Sequence, residues 1–175
     1  MKKKFHLWEC YDHKRISVNI EEELKDYILR NIKNKYDFAK KLKTNPARIY
    51  DYFVNKDTPI PLDKLIKISS ILRIDLDKIE KGIISYKQKL VPIKNSVFNP
   101  NIPIEISPYL TSITSNLFFD GSLPRDGKGA YYNQKRKSIM DLFIKKLKKV
   151  FGEVQYSVIK DHRGVLKCRF PRIVG

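Results

Sequence analysis

The chain has 175 residues, room for one ordinary domain or two small ones, and its 42% hydrophobic and 31% charged residues make a globular rather than a disordered composition. Its 36 Lys and Arg against 19 Asp and Glu leave a net charge of +17. Nucleic acid is the default partner for that excess, because basic side chains release the counterions condensed on phosphates, although a ribosomal or basic membrane-surface protein would share the charge. Two cysteines, Cys10 and Cys168, give no disulfide framework and no metal-ligand spacing, even with His6 and His13 flanking Cys10. The basic start has no long apolar run behind it and no stretch of about 20 apolar residues follows, so neither a signal peptide nor a spanning helix is expected. The expected place is the cytoplasm, in association with the nucleoid.

Residues 1–20 read as an N-terminal arm, with Ile16, Val18 and Ile20 forming a strand or docking segment. Helical periodicity begins at residue 21. Leu24, Tyr27, Ile28 and Ile32 mark a first amphipathic helix, and Tyr36, Phe38, Ala39 and Leu42 a shorter second one. Thr44, Asn45 and Pro46 supply a break, an N-cap and a proline at the first helical position, opening a third helix with Ile49, Tyr52 and Phe53 inward. After Pro59 and Pro61, Leu62, Leu65, Ile66, Ile68 and Leu72 mark a fourth helix, and Leu76, Ile79 and Ile83 a fifth. Five short helices with short links predict an all-α bundle over residues 21–84.

The run Phe38-Ala39-Lys40-Lys41-Leu42, the turn Lys43-Thr44-Asn45, the helix through Ile49 and the stretch from Pro61 to Asp77 resemble the lambda-repressor-like helix-turn-helix. Lys43 stands where that family often has glycine, and would enter the left-handed conformation at some cost. The resemblance implies that the second of the two helices enters the major groove by its N-terminal end, presenting Asn45, Pro46, Ala47, Arg48 and Asp51 to double-stranded DNA. Arg48 is expected to read guanine or hold a phosphate, and Asn45 to act as cap, phosphate contact or base contact. Residues 85–106, with Pro92, Pro100 and Pro103 among apolar residues, are expected to be an extended linker packed on one or both units.

Ser107 and Pro108 start another helix with Leu110, Ile113 and Leu117 on one face. It runs into Asp120-Gly121, leaving a carboxylate at the end of the helix where the dipole disfavours it. A hairpin with a glycine-containing loop is predicted over residues 122–134. A second helix follows to Phe151, with Ile139, Leu142, Phe143, Leu147, Val150 and Phe151 on one stripe and Gly152 as its stop. Val154, Tyr156 and Val158 then alternate with Gln155 and Ser157. Beyond a turn at residues 161–164, Leu166, Cys168 and Phe170 alternate with Lys167 and Arg169. The alternation puts the apolar set against the helices and leaves Gln155, Ser157, Lys167 and Arg169, with Arg125 and Lys128 of the hairpin tip, on a polar, basic face fit for a DNA groove.

Residues 113–121, with small Thr114 and Ser115 and the closing Asp120-Gly121, resemble the LAGLIDADG motif of homing endonucleases, from which Asn116 and Phe118 depart. The order helix, two strands, helix, two strands is that of the LAGLIDADG half-domain. Residues 131–134 and the run Phe170-Pro171-Arg172-Ile173-Val174 are similar to its archaeal and intein-associated members. The fold class expected is therefore two domains: the all-α helix-turn-helix bundle, then an α+β half-domain over residues 107–175 in the order αββαββ. The family's final helix would begin about where Pro171 stands, so it is expected to be missing, or the sequence to be a fragment of a longer reading frame.

This second resemblance implies a sheet that straddles the major groove and a homodimer packed through Ile113, Thr114, Leu117 and Phe118. It implies further that one Asp120 from each protomer, with Gly121 beside it, holds Mg2+ or another divalent cation at the scissile phosphates. Gln134 and Arg172 are the nearest matches to the amide or basic residues that the family places by its metals. The two functions implied are a homodimeric site-specific DNA endonuclease and, as the alternative, a non-catalytic transcriptional regulator that retains the endonuclease fold. RNA binding ranks below both, since no aromatic RNA-recognition motif is present.

Overall fold

The computed structural model describes residues 3–10, 13–54, 58–88, 96–123 and 129–171. Within these residues the protein is a mixed α/β structure with antiparallel sheets. Five helices occupy the first half: α1 (Glu22–Asn31), α2 (Lys35–Leu42), α3 (Pro46–Phe53), α4 (Leu62–Leu72) and α5 (Leu76–Lys81). The bundle is not all-α as the periodicity predicts. A five-stranded sheet runs alongside it, in the order β3 (Ile60–Pro61), β2 (Ile16–Ile20), β4 (Ile83–Gln88), β5 (Ser96–Phe98) and β9 (Glu153–Val154).

The reason lies in residues whose apolar character fits either period. Ile83 continues the spacing of Leu76 and Ile79, yet Gly82 closes α5 and Ile83 begins a strand whose Ser85 and Tyr86 are also buried. β2 is closed over almost its whole length, with Ile16, Val18 and Ile20 each at most 1% exposed, because it is paired on both edges. Strands of this sheet come from the N-terminal arm, the helical unit, the stretch read as a linker and the segment after the last long helix.

The N-terminal arm is anchored a second time, through a buried acid. Glu80 is 2% exposed, and its carboxylate accepts from the Leu7 backbone N–H at 2.8 Å while the His6 imidazole Nδ1 lies 2.8 Å from its other oxygen. A carboxylate removed from water needs such partners. The adjacent β1 (Lys4–Phe5) forms a two-stranded ribbon with β6 (Ile104–Glu105).

The second half runs α6 (Pro108–Asp120), β7 (Gly121–Ser122), β8 (Ala130–Gln134), α7 (Lys137–Phe151), β9, β10 (Ser157–Lys160) and β11 (Leu166–Phe170). A four-stranded sheet has the order β10-β11-β8-β7, with both helices against one face. Its inner residues are Ala130, Tyr132, Cys168 and Phe170, all at most 2% exposed, and Tyr132 stacks on Phe143 of α7 at 4.1 Å. Burying a side chain the size of Phe170 contributes about 1.5–3 kcal/mol.

The strand expected to continue from Val154 is split. Val154 joins the five-stranded sheet, Gln155 donates its N–H to the Ser96 carbonyl at 3.0 Å, and the four-stranded sheet takes over at Ser157. Val158 and Tyr156 are therefore exposed rather than packed on the helices, since β10 is an edge strand lying beyond the helical layer. Gly152 makes the junction possible. Its φ of +97° suits glycine, and a Cβ there would stand 2.4 Å from the Asn99 carbonyl oxygen. Gly152→Ala is expected to destabilise the chain by about 1–3 kcal/mol, read as a lowered urea midpoint at unchanged slope.

Candidate nucleic-acid interface

At the junction of α2 and α3, Asn34 caps α2 by accepting from the Tyr36 and Asp37 N–H groups. Lys43 ends that helix in the left-handed region at φ +51°, the conformation for which glycine is the usual choice. Two things offset the cost. The Thr44 N–H donates to the Ala39 carbonyl, and the Lys64 ammonium donates to the Leu42 carbonyl at 2.8 Å, so the carbonyls left at the helix end are satisfied. Asn45 then caps α3 by accepting from the Ala47 N–H at 2.9 Å, with Pro46 at the first helical position.

Ile49, Tyr52 and Phe53 turn inward, leaving Ala47, Arg48 and Tyr50 exposed. Arg48 pairs with Asp51 across one turn at 3.7 Å, its side chain 61% exposed. An exposed pair of this kind is worth about 0.2–1 kcal/mol, so Asp51 holds the guanidinium only weakly.

The outer face of the four-stranded sheet is the second polar surface. Register places Ser157, Arg169, Tyr131 and Ser122 in one row across it, and Ile159, Lys167 and Asn133 in the next. The Arg169 guanidinium lies 5.8 Å over the Tyr131 ring. A groove of about 540 Å3 follows these rows, lined by Ser122, Tyr131, Asn133, Ile159, Arg163 and Lys167. Tyr131, Asn133 and Arg163 are not among the residues expected from sequence. The strand parity that buries Tyr132 already carries the signal for the first two.

Gln155 does not join this face. It sits in the connection between the two sheets, half-buried, with Oε1 closed from solvent and without a hydrogen-bond partner among the described residues. Arg125, Lys128 and Arg172 lie outside the described residues.

Asp161 organises one end of the groove. Its carboxyl is held below the usual carboxylate range chiefly by the Val165 N–H, then by the Arg163 N–H and by Lys167, whose ammonium is 3.3 Å away. A carboxyl with a depressed folded-state pKa stabilises the fold fully above its unfolded value of about 3.9, and that contribution is lost as pH falls through the lower folded value. The stability difference between wild type and Asp161→Asn should thus be constant at neutral pH and shrink only below about pH 4, as measured by thermal melts across pH.

Asp120 ends α6 in an exposed position, and among the described residues no cation or hydrogen-bond donor engages its carboxylate. Its backbone is fixed from two sides. The Asn133 amide donates to the Asp120 carbonyl at 3.0 Å, and Gly121 pairs with Tyr132 while its N–H closes on the Leu117 carbonyl. A Cβ at Gly121 would stand 2.2 Å from that Leu117 oxygen, so only glycine follows Asp120 here. The acid therefore stands beside the row that carries Asn133 and Lys167. Gln134, expected near a metal, instead turns its side chain back onto the link before α7: its Oε1 accepts from the Lys135 and Arg136 N–H groups at 2.8 and 3.3 Å. Among the described residues no group of three or more His, Cys, Asp or Glu gathers.

The exposed side of α6 differs from the interface expected. Ile113 is 1% exposed inside its own core and has no surface left for a partner, whereas Leu117 is half-buried and keeps part of its surface. Thr111, Thr114, Ser115, Phe118 and Phe119 face outward. Thr114 and Ser115 return their hydroxyls to carbonyls one turn back, which leaves a smooth strip beside Phe118 and Phe119 at 82% and 79% exposure. A groove of about 380 Å3 runs along it, with Phe5, Ile106 and Leu110 on its far wall.

No family model matches the chain, and no solved structure matches it significantly. Among curated proteins, the archaeal Lon protease of Pyrococcus abyssi (strain GE5 / Orsay) is 27% identical over 107 residues, covering 54% of this chain and 11% of that protein. The chain thus spans about one tenth of the length of the curated relative that it matches. No helix among the described residues is long and apolar enough to cross a membrane.

Proposed function

We propose that the chain binds double-stranded DNA through α3 and the outer face of the four-stranded sheet, and cleaves it as a homodimer by metal-dependent phosphodiester hydrolysis at Asp120. The observation that carries this reading is the setting of Asp120: an exposed, uncommitted carboxylate whose backbone is clamped by Asn133, a residue of the basic groove itself. An acid that served only as a helix end would be disfavoured by the dipole. At the edge of a phosphate-binding groove it has a task.

A divalent cation such as Mg2+, which commonly binds through one or two carboxylates plus phosphate oxygens, would neutralise charge at the scissile phosphate and lower the pKa of a bound water. The donor set fits that mode, since each protomer would offer the uncommitted Asp120 carboxylate at the end of α6. The chain's own residues do the rest. Lys167 and Arg169 hold the phosphate backbone, Asn133 keeps the end of α6 in register with the groove, and Arg48 supplies sequence recognition from the major groove. A second copy seated on the Thr111, Thr114, Ser115 and Phe118 strip would bring the second Asp120 alongside the first and make the preferred site roughly palindromic.

The alternative, a regulator that binds without cutting, is favoured by Gln134, whose amide oxygen is already committed to the backbone of Lys135 and Arg136. Proteolysis is named for the whole of the longer archaeal relative and is not carried over to a segment matching a tenth of it.

Incubating the purified chain with a randomised duplex library and Mg2+ or Mn2+ tests the choice. Defined cuts that vanish with EDTA and fall at least about 100-fold in Asp120→Asn support the nuclease; binding without cuts, equal in both proteins, leaves the regulator. In either case Arg48→Ala should weaken the preferred site by about 1–3 kcal/mol and leave non-specific binding nearly intact, as read by titration against selected and scrambled duplexes.

A further inference from the structure

A second concentration of positive charge lies on the far side of the C-terminal half. Lys145, Lys146, Lys148 and Lys149 fall within five residues of α7. No described carboxylate forms an ion pair with any of them. The helix dipole accounts for Lys148 and Lys149 in the last turn, where cations are favoured. It does not account for Lys145, which stands one turn before Lys149 and repels it.

Three of the four ammonium groups are also placed rather than free to spread. Lys149 lies 4.2 Å from the Tyr109 ring centroid and donates to its hydroxyl at 3.1 Å, Lys148 lies 5.4 Å over Tyr156, and Lys146 donates to Ser112 at 2.7 Å. Lys4 of β1, paired with Glu105 at 3.6 Å, shares with Lys149 and Tyr109 the wall of a hollow of about 590 Å3 that Glu105 also lines. A surface serving solubility alone gains nothing from fixing like charges beside one another.

We propose that this lysine face is a second, sequence-independent DNA contact, taking the phosphate backbone of a duplex other than the one on the sheet, so that one molecule bridges two duplexes. Phe143, Leu147 and Val150 turn the other side of α7 into the core, so the lysines and the groove of Lys167 and Asn133 look in opposite directions. Duplex DNA, with a persistence length of about 150 base pairs, does not wrap a layer of this thickness without a severe bend. One duplex therefore cannot reach both faces. The bridging rests on the reading of the sheet as the first contact.

The test is capture of a labelled second duplex, of arbitrary sequence, by the full chain already bound to a bead-immobilised duplex. Wild type should capture it. The triple variant Lys145→Gln, Lys148→Gln, Lys149→Gln should stay on the immobilised duplex yet lose capture tenfold or more, and the corresponding triple arginine variant should keep it. The slope of log affinity for the second duplex against log salt should fall by roughly 0.9 per lysine that contacts phosphate. No capture by wild type, or equal capture by the glutamine variant, overturns the inference and leaves the sheet reading standing. Loss of the immobilised duplex by the glutamine variant, with none in Lys167→Gln, overturns both. Binding of wild type to phosphatidylserine vesicles without second-duplex capture overturns it in favour of a membrane surface.

Discussion

The pairing of β2 with β4 is the constraint on which the remainder rests. β2 precedes the five helices and β4 follows them, so joining the two strands closes a loop of some sixty residues (Ile20↔Ile83 at its inner end). Closing a long loop costs only slightly more than closing a short one, because the entropy grows with the logarithm of length. What repays it is burial: Ile16, Val18, Ile20 and Tyr86 lose nearly all contact with water, and α4 packs on the same sheet. β3 extends one side of the pair, and β5 and β9 extend the other, bringing the end of α7 to the sheet. Helices α1 to α5 are therefore held inside a closed loop rather than left to associate by their own short apolar faces.

The disposition of acids and bases follows from that framework. Most of the described carboxylates near the core have structural duties: Glu80 fastens the N-terminal arm, Asp161 shapes the turn before β11, Asp75 caps α5, and Asp141 pairs with Lys137. These duties leave Asp120 unengaged among the described residues and leave lysines unbalanced on α7. With a net charge of +17, long-range repulsion is a standing cost to the compact chain. A polyanionic partner of the kind proposed would relieve it.

Local signals in the sequence were read where one residue type answers one steric demand. Ser107-Pro108 and Asn45-Pro46 mark helix starts that stand at those positions, and Gly152 ends α7. The inward phase of Cys168 and Phe170 was likewise legible from alternation alone. Long-range pairing was not. Ile83 suits a helix stripe as well as a strand, and nothing local says that Ile16–Ile20 will find it more than sixty residues away. The break at Gln155 was invisible for the same reason, since the partner of Val154 is Val97. At the candidate interface, Arg48 and Lys167 follow from their own helix and strand. The role of Asn133 does not, because it depends on the end of α6 arriving beside it, and the inward turn of Ile113 depends on which side α7 occupies.

The split between β9 and β10 has a meaning for how such a chain is assembled from parts. Only Gln155 and Tyr156 separate a strand of one sheet from a strand of the other, and the Gln155 N–H itself is bonded to Ser96. A gene boundary drawn between Phe98 and Ile106 would therefore sever a shared sheet. It would strand Val97 and Val154 on opposite fragments, each with an unsatisfied backbone edge open to the wrong neighbour. The two halves are interlocked after the manner of a mortise, and any exchange of one for another recognition module must carry the joint with it.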